Sequence, residues 1–174
     1  PYLNAGLSYN QLGGTGSFGG AMFDCVTDLA VYAPTGNCGN VNLFIQGSLN
    51  AGSGGNPDSR WAELYQPIRK ANIFLNNVKY AKCSQSHIDR MKGEVILMKA
   101  LCHYELFKRF GGIPIMDNIL DLSGNINIPR NTVEETVDYI VRLCDEAAEL
   151  LPARYPDSDY GRLTKGSAYG AKAM

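Results

Sequence analysis

The stretch GEVILMKALCHYELFKRFGGIP, Gly93 to Pro114, decides how this chain folds. Val95, Met98, Leu101, Cys102, Phe107 and Phe110 recur at helical spacing, and Leu97, Ala100, Tyr104 and Leu106 fill the opposite side. A helix that is apolar on every side is buried on every side. Lys108 and Arg109 fall in its last turn, where they complement the helix dipole, and Gly111 suits a left-handed cap. Pro114 forbids continuation, so the stop is sharp.

Working outward, the pattern predicts a helix over about 59–79, with Trp61, Leu64, Tyr65, Ile68, Ala71, Asn72, Leu75 and Val78 on one face. Pro67 falls inside it and predicts a bend or a later start. The second helix runs over about 86–110 and the third over about 132–151. Thr132 and Glu135 form a capping box for the third, whose stripe is read as Val133, Val137, Ile140, Val141, Cys144, Ala148 and Leu151. A fourth opens near Thr164. Trp61, Tyr104 and Phe110 share faces with aliphatic residues and are expected to be largely buried, with the Tyr104 hydroxyl hydrogen-bonded. Small residues at Ala147, Ala148, Ala168 and Ala171 let helices cross closely. The fold class is all-α: stacked helical hairpins of tetratricopeptide type, with no sheet beyond a hairpin.

Charge divides the chain more sharply than its total does. Residues 1–59 carry no Lys, Arg or His, only Asp24, Asp28 and Asp58, and hold 12 of the 19 glycines. They read as a long irregular Gly/Asn-rich N-terminal loop segment of the same domain, and residues 60–174 as its helical part. A chain of 174 residues can bury roughly 70% of its unfolded surface, enough for one core. The net charge of -1, with basic residues scattered, gives no field for nucleic acid. No apolar run reaches the roughly 20 residues that span a bilayer, so membrane attachment would need an anchor outside this chain.

Motifs with catalytic overtones lack their context. Gly14-Thr15-Gly16-Ser17-Phe18-Gly19 matches a phosphate-loop pattern, yet the first basic residue of the chain is Arg60 and no apolar strand precedes the glycines. Glu134, Glu135, Asp138, Asp145, Glu146 and Glu149 belong to the solvated face of the third helix. Glu94 is expected to pair with a base such as Arg69 or Arg90. Cys102 and Cys144 read as core thiols, a Cys25–Cys38 bridge stays open, and no CxxC pair exists. No metal, cofactor or catalytic residue is expected.

The residues around the opening stretch resemble the RagB/SusD-like family of outer-membrane nutrient-binding lipoproteins. Gly93, Glu94, Leu97, Ala100, Tyr104, Phe110, Gly111, Gly112 and Pro114 fit its G-E-A…F-G-G-x-P block, with Lys99 where the family usually has Arg, a change expected to matter little if the charge only sits at a helix surface. Trp61, Tyr65, Ile68, Ala71, Asn72 and Leu75 fit its W-x-x-x-Y-x-x-I-x-x-A-N-x-x-L helix. Arg130, Thr132 and Leu151-Pro152 bracket the next helix, and Gly161-Arg162-Leu163-Thr164-Lys165 through Ala168 fits G-R-x-T-K-x-x-A. Four blocks stand in family order.

What the resemblance implies is binding without chemistry. Such a protein sits on the outward face of the outer membrane through an N-terminal lipid, captures a glycan or in some members a peptide, and acts with a SusC-like TonB-dependent transporter. It also implies that this chain is the N-terminal piece of a longer protein. Thr27-Asp28 falls near the family's S/T-D motif, which makes Asp28 the first ligand-binding candidate. Tyr32 and Phe44 are stacking candidates and Asn42 an amide candidate, because sugars need aromatic plates and side-chain amides. Two other classes stay in view: a helical-repeat interaction scaffold with no small ligand, and a hydrolase, which would need carboxylates or metal ligands converging on one cleft.

Overall fold

The computed structural model describes residues 28–29, 46–48, 50, 61–120 and 127–174. Trp61–Met174 form one compact unit, and no strand occurs among the described residues. Helix α1, Trp61–Asn77, carries Pro67 within a single helix and runs into a 3-10 turn at Val78–Tyr80. Helix α2, Gln85–Phe110, starts on Ser84, whose hydroxyl accepts the His87 N–H. It stops at Gly111, whose φ of 67° and ψ of -130° are accessible essentially only to glycine. Helix α3, Val133–Leu150, opens on the expected capping box: Thr132 Oγ1 accepts the Glu135 N–H at 3.1 Å, and the Glu135 carboxylate accepts the Thr132 N–H at 2.8 Å. Helix α4, Lys165–Lys172, repeats the device with Thr164 and Ser167.

Each helix packs chiefly on its neighbours in sequence: α1 on α2, α2 on α3, α3 on α4. Gly93 makes the second contact close, since a Cβ there would fall 2.9 Å from Leu151 Cγ. One core cluster joins Ile96, Leu97 and Ala100 of α2 to Tyr139, Ile140, Leu143 and Cys144 of α3, and continues through Ala147 and Ala148 to Ala168 of α4. The second joins Leu64 and Ile68 of α1 to Leu106 and Ile113. These are the stacked helical hairpins of a tetratricopeptide-like fold, and the crossing alanines lie where the small-residue pattern put them.

Two expectations need correction. The buried face of α3 is rotated from the expected stripe: Val133 is 53% and Val137 37% exposed, while Thr136, Tyr139 and Leu143 are buried. An apolar count passes over Thr136 and Tyr139, yet both are buried because their hydroxyls find acceptors, the Thr132 carbonyl at 2.8 Å and Asp117 Oδ1 at 2.7 Å. Trp61, Tyr104 and Phe110 are partly buried and pack against the core clusters, as expected, but the Tyr104 hydroxyl bond is missing among the described residues. Trp61 lies with its ring centroid 5.0 Å from those of Tyr65 and Phe110, and its face takes the Arg130 guanidinium at 5.4 Å. Tyr104 makes no hydroxyl hydrogen bond among the described residues; Lys108 Nζ stands 5.6 Å from its ring.

The two readings of α3 separate by mutation. Leu143→Ala should destabilise by about 2–5 kcal/mol, as buried leucine truncations do. Val133→Ala should stay within about 0.5 kcal/mol. Urea unfolding followed by circular dichroism measures both, and equal losses would restore the original stripe.

Candidate functional site

After α2 residues 111–120 run on as a strap, met by residues 127–132 ahead of α3, and the family-type motif residues turn out to be its fastenings. Gly112 passes so close to the next segment that a Cβ would fall 2.2 Å from the Asn131 carbonyl oxygen. The Asn131 N–H donates to the Ile113 carbonyl at 3.1 Å, and Asn131 Oδ1 accepts the Ile115 N–H at 3.1 Å. Arg130 donates to the Phe110 carbonyl at 3.1 Å. From the other side α1 holds the same strap: the Tyr65 hydroxyl donates to the Pro114 carbonyl at 2.8 Å, and Asn72 Nδ2 donates to the carbonyls of Met116 at 2.9 Å and Asn118 at 3.1 Å. Burial pushes the Tyr65 phenol above its ordinary range, so it stays a donor at any physiological pH.

Lys99 is the largest departure from expectation. Instead of lying at a helix surface its side chain is 2% exposed, with Nζ 2.9 Å from Asp117 Oδ1 and 3.2 Å from the Asp117 carbonyl. The cause is the strap, which brings a carboxylate over that face of α2. Arg142 approaches the other carboxylate oxygen at 3.7 Å, and the Tyr139 hydroxyl completes the set. Desolvation works to raise the Asp117 carboxyl, but the hydrogen bonds from Tyr139 and Lys99 outweigh it and hold it below the usual carboxylate range. Beneath lies His103, fully buried, whose Nδ1 is 2.8 Å from the Lys99 carbonyl. A carbonyl only accepts, so Nδ1 carries the proton and Nε2 is left as an acceptor without a partner.

This corner borders a cleft of about 430 Å³ lined by Asn72, Leu75, Asn76, Asp117, Asn118 and Ile119. A smaller cavity of about 150 Å³ adjoins it, sharing Asn72 and Asn118 and reaching Tyr65, Ile68 and Met116. Asn72 is 4% exposed and its Oδ1 has no hydrogen-bond partner. Both strap carbonyls need donors, so the amide cannot be turned over. The orphan acceptor is fixed in place.

On the far side of α2, Glu94 accepts two hydrogen bonds from Arg162 at 2.8 Å each and one from Tyr155 at 3.1 Å. Arg90 contributes at 3.7 Å, as expected, whereas the dominant partner is the arginine of the Gly161-Arg162 motif. Desolvation opposes ionisation, but the Arg162 bonds prevail and keep the carboxyl below its ordinary value. Glu94 is therefore a tie between α2 and the approach to α4. Burial pushes the Cys102 thiol up to about 12, which keeps it unreactive. Cys83, Cys102 and Cys144 are free thiols, and no group of three metal-ligating side chains exists among the described residues. None of their helices is long and apolar enough to cross a membrane.

Of the sequence-derived ligand candidates, Asp28 is exposed. Tyr32, Asn42 and Phe44 lie outside the described residues, as do Cys25, Cys38 and the glycine loop at 14–19. The cleft residues Asn76, Asp117 and Asn118 went unremarked in the sequence, where nothing distinguishes an exposed asparagine beside a strap. Asn72 and Leu75, inside the α1 motif, carried a signal.

His103 gives the fold a pH dependence. Burial, reinforced by the nearby Lys99 charge, lowers its pKa to about 4 from the ordinary 6.5. Between these values the unfolded chain binds a proton that the native chain refuses, so stability is full above pH 6.5 and falls as pH drops toward 4. About 2–3 kcal/mol should be lost across that window. The losses from Asp117 and Glu94, whose carboxyls are depressed, come lower, as they protonate. Unfolding curves from pH 7 to 4.5 should slope for the parent and flatten for His103→Gln; equal slopes would remove His103 as the cause.

The comparisons with known proteins agree with this frame. A SusD-like family model, described as starch-binding and associating with the outer membrane, matches residues 28–173. SusD-like protein P25 of Formosa agariphila is 33% identical over 111 residues, which are 62% of this chain and 21% of that protein. A crystal structure of a SusD-like protein from Bacteroides fragilis is similar at a TM-score of 0.63 and 35% identity, covering 65% of this chain and 22% of that one. A laminarin binding SusD-like protein is similar at a TM-score of 0.67 and 26% identity, covering 74% and 28%. The chain thus spans only 21% and 28% of the length of the curated relatives it matches. Matched over most of its length, and with the motif residues serving as the fastenings of one strap, the chain belongs to the SusD-like family.

Proposed function

We propose that the protein binds glycans at the outward face of the outer membrane, held there by a lipid anchor, and passes them to a SusC-like TonB-dependent transporter. The observation that carries this reading is the match of the starch-binding, outer-membrane-associated family model over residues 28–173. The laminarin-binding neighbour supports a saccharide over a peptide. The described unit fits a carrier better than a catalyst. Three of its carboxylates are spent on structure: Glu94 by Arg162 and Asp117 by Lys99 and Tyr139 join separate elements, and Glu105 pairs with Lys108 and Arg109 within α2. We read the protein as a binding protein and not an enzyme, with no cofactor. Recognition falls to loops carried on this scaffold, with Asp28, Tyr32, Asn42 and Phe44 as the contacts.

Calorimetry on the full-length protein with maltoheptaose, laminarihexaose and an unrelated peptide panel tests the ligand. Tyr32→Ala or Phe44→Ala should weaken saccharide binding by about 0.5–1.5 kcal/mol beyond the lost area, and Asp28→Ala should weaken it as well. The exposed helix-face control Glu149→Ala should leave it unchanged. Binding of peptides alone would replace glycan by peptide as the cargo. Co-purification from native outer membranes with a barrel transporter is the expected result for the partner, and recovery as a free monomer with ligand present would favour the scaffold alternative.

A further inference from the structure

We propose that Asp117–Leu120 form a flap, hinged at Met116, that opens while the helices stay folded and uncovers Lys99, His103 and the Asn72 oxygen to water. The inference concerns motion of the strap and stands apart from the glycan reading. The two halves of the strap are held differently. In the inner half the backbone is engaged: the Ile113 carbonyl accepts the Asn131 N–H, the Ile113 N–H donates to Thr136 Oγ1 at 3.4 Å, the Ile115 N–H donates to Asn131 Oδ1, and the Ile113 side chain is fully buried. Over Asp117–Leu120 no backbone group bonds to another backbone group among the described residues, and no side chain is fully buried. The fastenings there are side chains alone, Asn72 on the Asn118 carbonyl and Lys99, Tyr139 and Arg142 on Asp117.

What lies beneath favours opening. Among the described residues two buried side-chain atoms lack a hydrogen-bond partner, Asn72 Oδ1 and His103 Nε2. Both belong to residues that this half of the strap covers: Asn72 grips it from α1, and His103 sits under the Lys99–Asp117 pair. Neither acceptor is satisfied while the flap is shut, and water reaches both once it lifts. Lys99 regains hydration in the same step, and its carboxylate partner, 53% exposed, already stands half in water. Parting α2 from α3 would instead expose the core around Ile96, Leu97, Tyr139 and Leu143. A segment with few buried contacts is where opening short of global unfolding begins. The flap contributes Asp117, Asn118 and Ile119 to the wall of the cleft, so its position sets how open that cleft is.

His103 is also the probe. With its Nδ1–H on the Lys99 carbonyl, Nε2 is the nitrogen that diethyl pyrocarbonate acylates, and the exposed His87 of the same helix is the internal reference. The full-length protein is labelled near neutral pH across a urea series below the unfolding transition, and peptide mass spectrometry reads each histidine separately. His103 should label more slowly than His87, at a rate that stays flat over low urea, because a flap exposes little surface. Asp117→Asn removes the charged fastening and should raise the His103 rate about tenfold. Leu151→Ala loosens the core where α3 ends against Gly93; it should lower the melting temperature and leave the flat rate unchanged. A His103 rate that climbs from the outset at the slope of global unfolding, or that rises in Leu151→Ala by the factor of its lost stability, overturns the flap. If Asp117→Asn fails to fold, the urea dependence of the parent decides alone.

Discussion

Two backbone segments meeting without room for a side chain set the course of everything around them. At Gly112 the chain lies against the Asn131 carbonyl so closely that a methyl group would fall 2.2 Å from it. That contact decides where the strap crosses the end of α2, where α3 begins, and which carbonyls Tyr65 and Asn72 can reach from α1. The paired glycines divide the task. Gly111 supplies a backbone angle that side chains resist, and Gly112 supplies space. Pro114 then offers a carbonyl to Tyr65 and no N–H that would need a partner.

Much of this architecture is legible in the sequence, and the reason is periodicity. Apolar spacing places the helices within a few residues, Thr132 with Glu135 and Thr164 mark two of the starts, and glycine with proline marks the sharpest stop. What stays hidden is every feature that depends on partners distant in sequence. Lys99 looks like a surface charge because its partner, Asp117, arrives only when the strap folds back. Tyr139 looks like a position off the stripe because its acceptor is the same carboxylate. The exposed edge at Val133 follows from where α2 and α4 lie, which the helix's own composition does not encode. As for the candidate site, the motif at Asn72 was visible, but its role as a clamp with one unspent oxygen was not.

The polar interior also explains a division of labour. Buried ionic groups stabilise little once desolvation is counted, yet removing one partner is costly, so such clusters fix arrangement more than they add strength. Here the buried ion is Lys99 of α2; the Asp117 carboxylate that meets it is 53% exposed and is also met by Tyr139 and Arg142 of α3, so the strap is tied to both helices.

The succession of helices, each resting chiefly on the one before and the one after, bears on how the unit opens. In a quasi-one-dimensional stack, free energy is a sum over neighbouring interfaces. The Arg162–Glu94 pair spans 68 residues of sequence and joins the approach to α4 directly to α2. It is a tie that skips the intervening helix, so any opening of α4 from α3 also has to break a grip on α2.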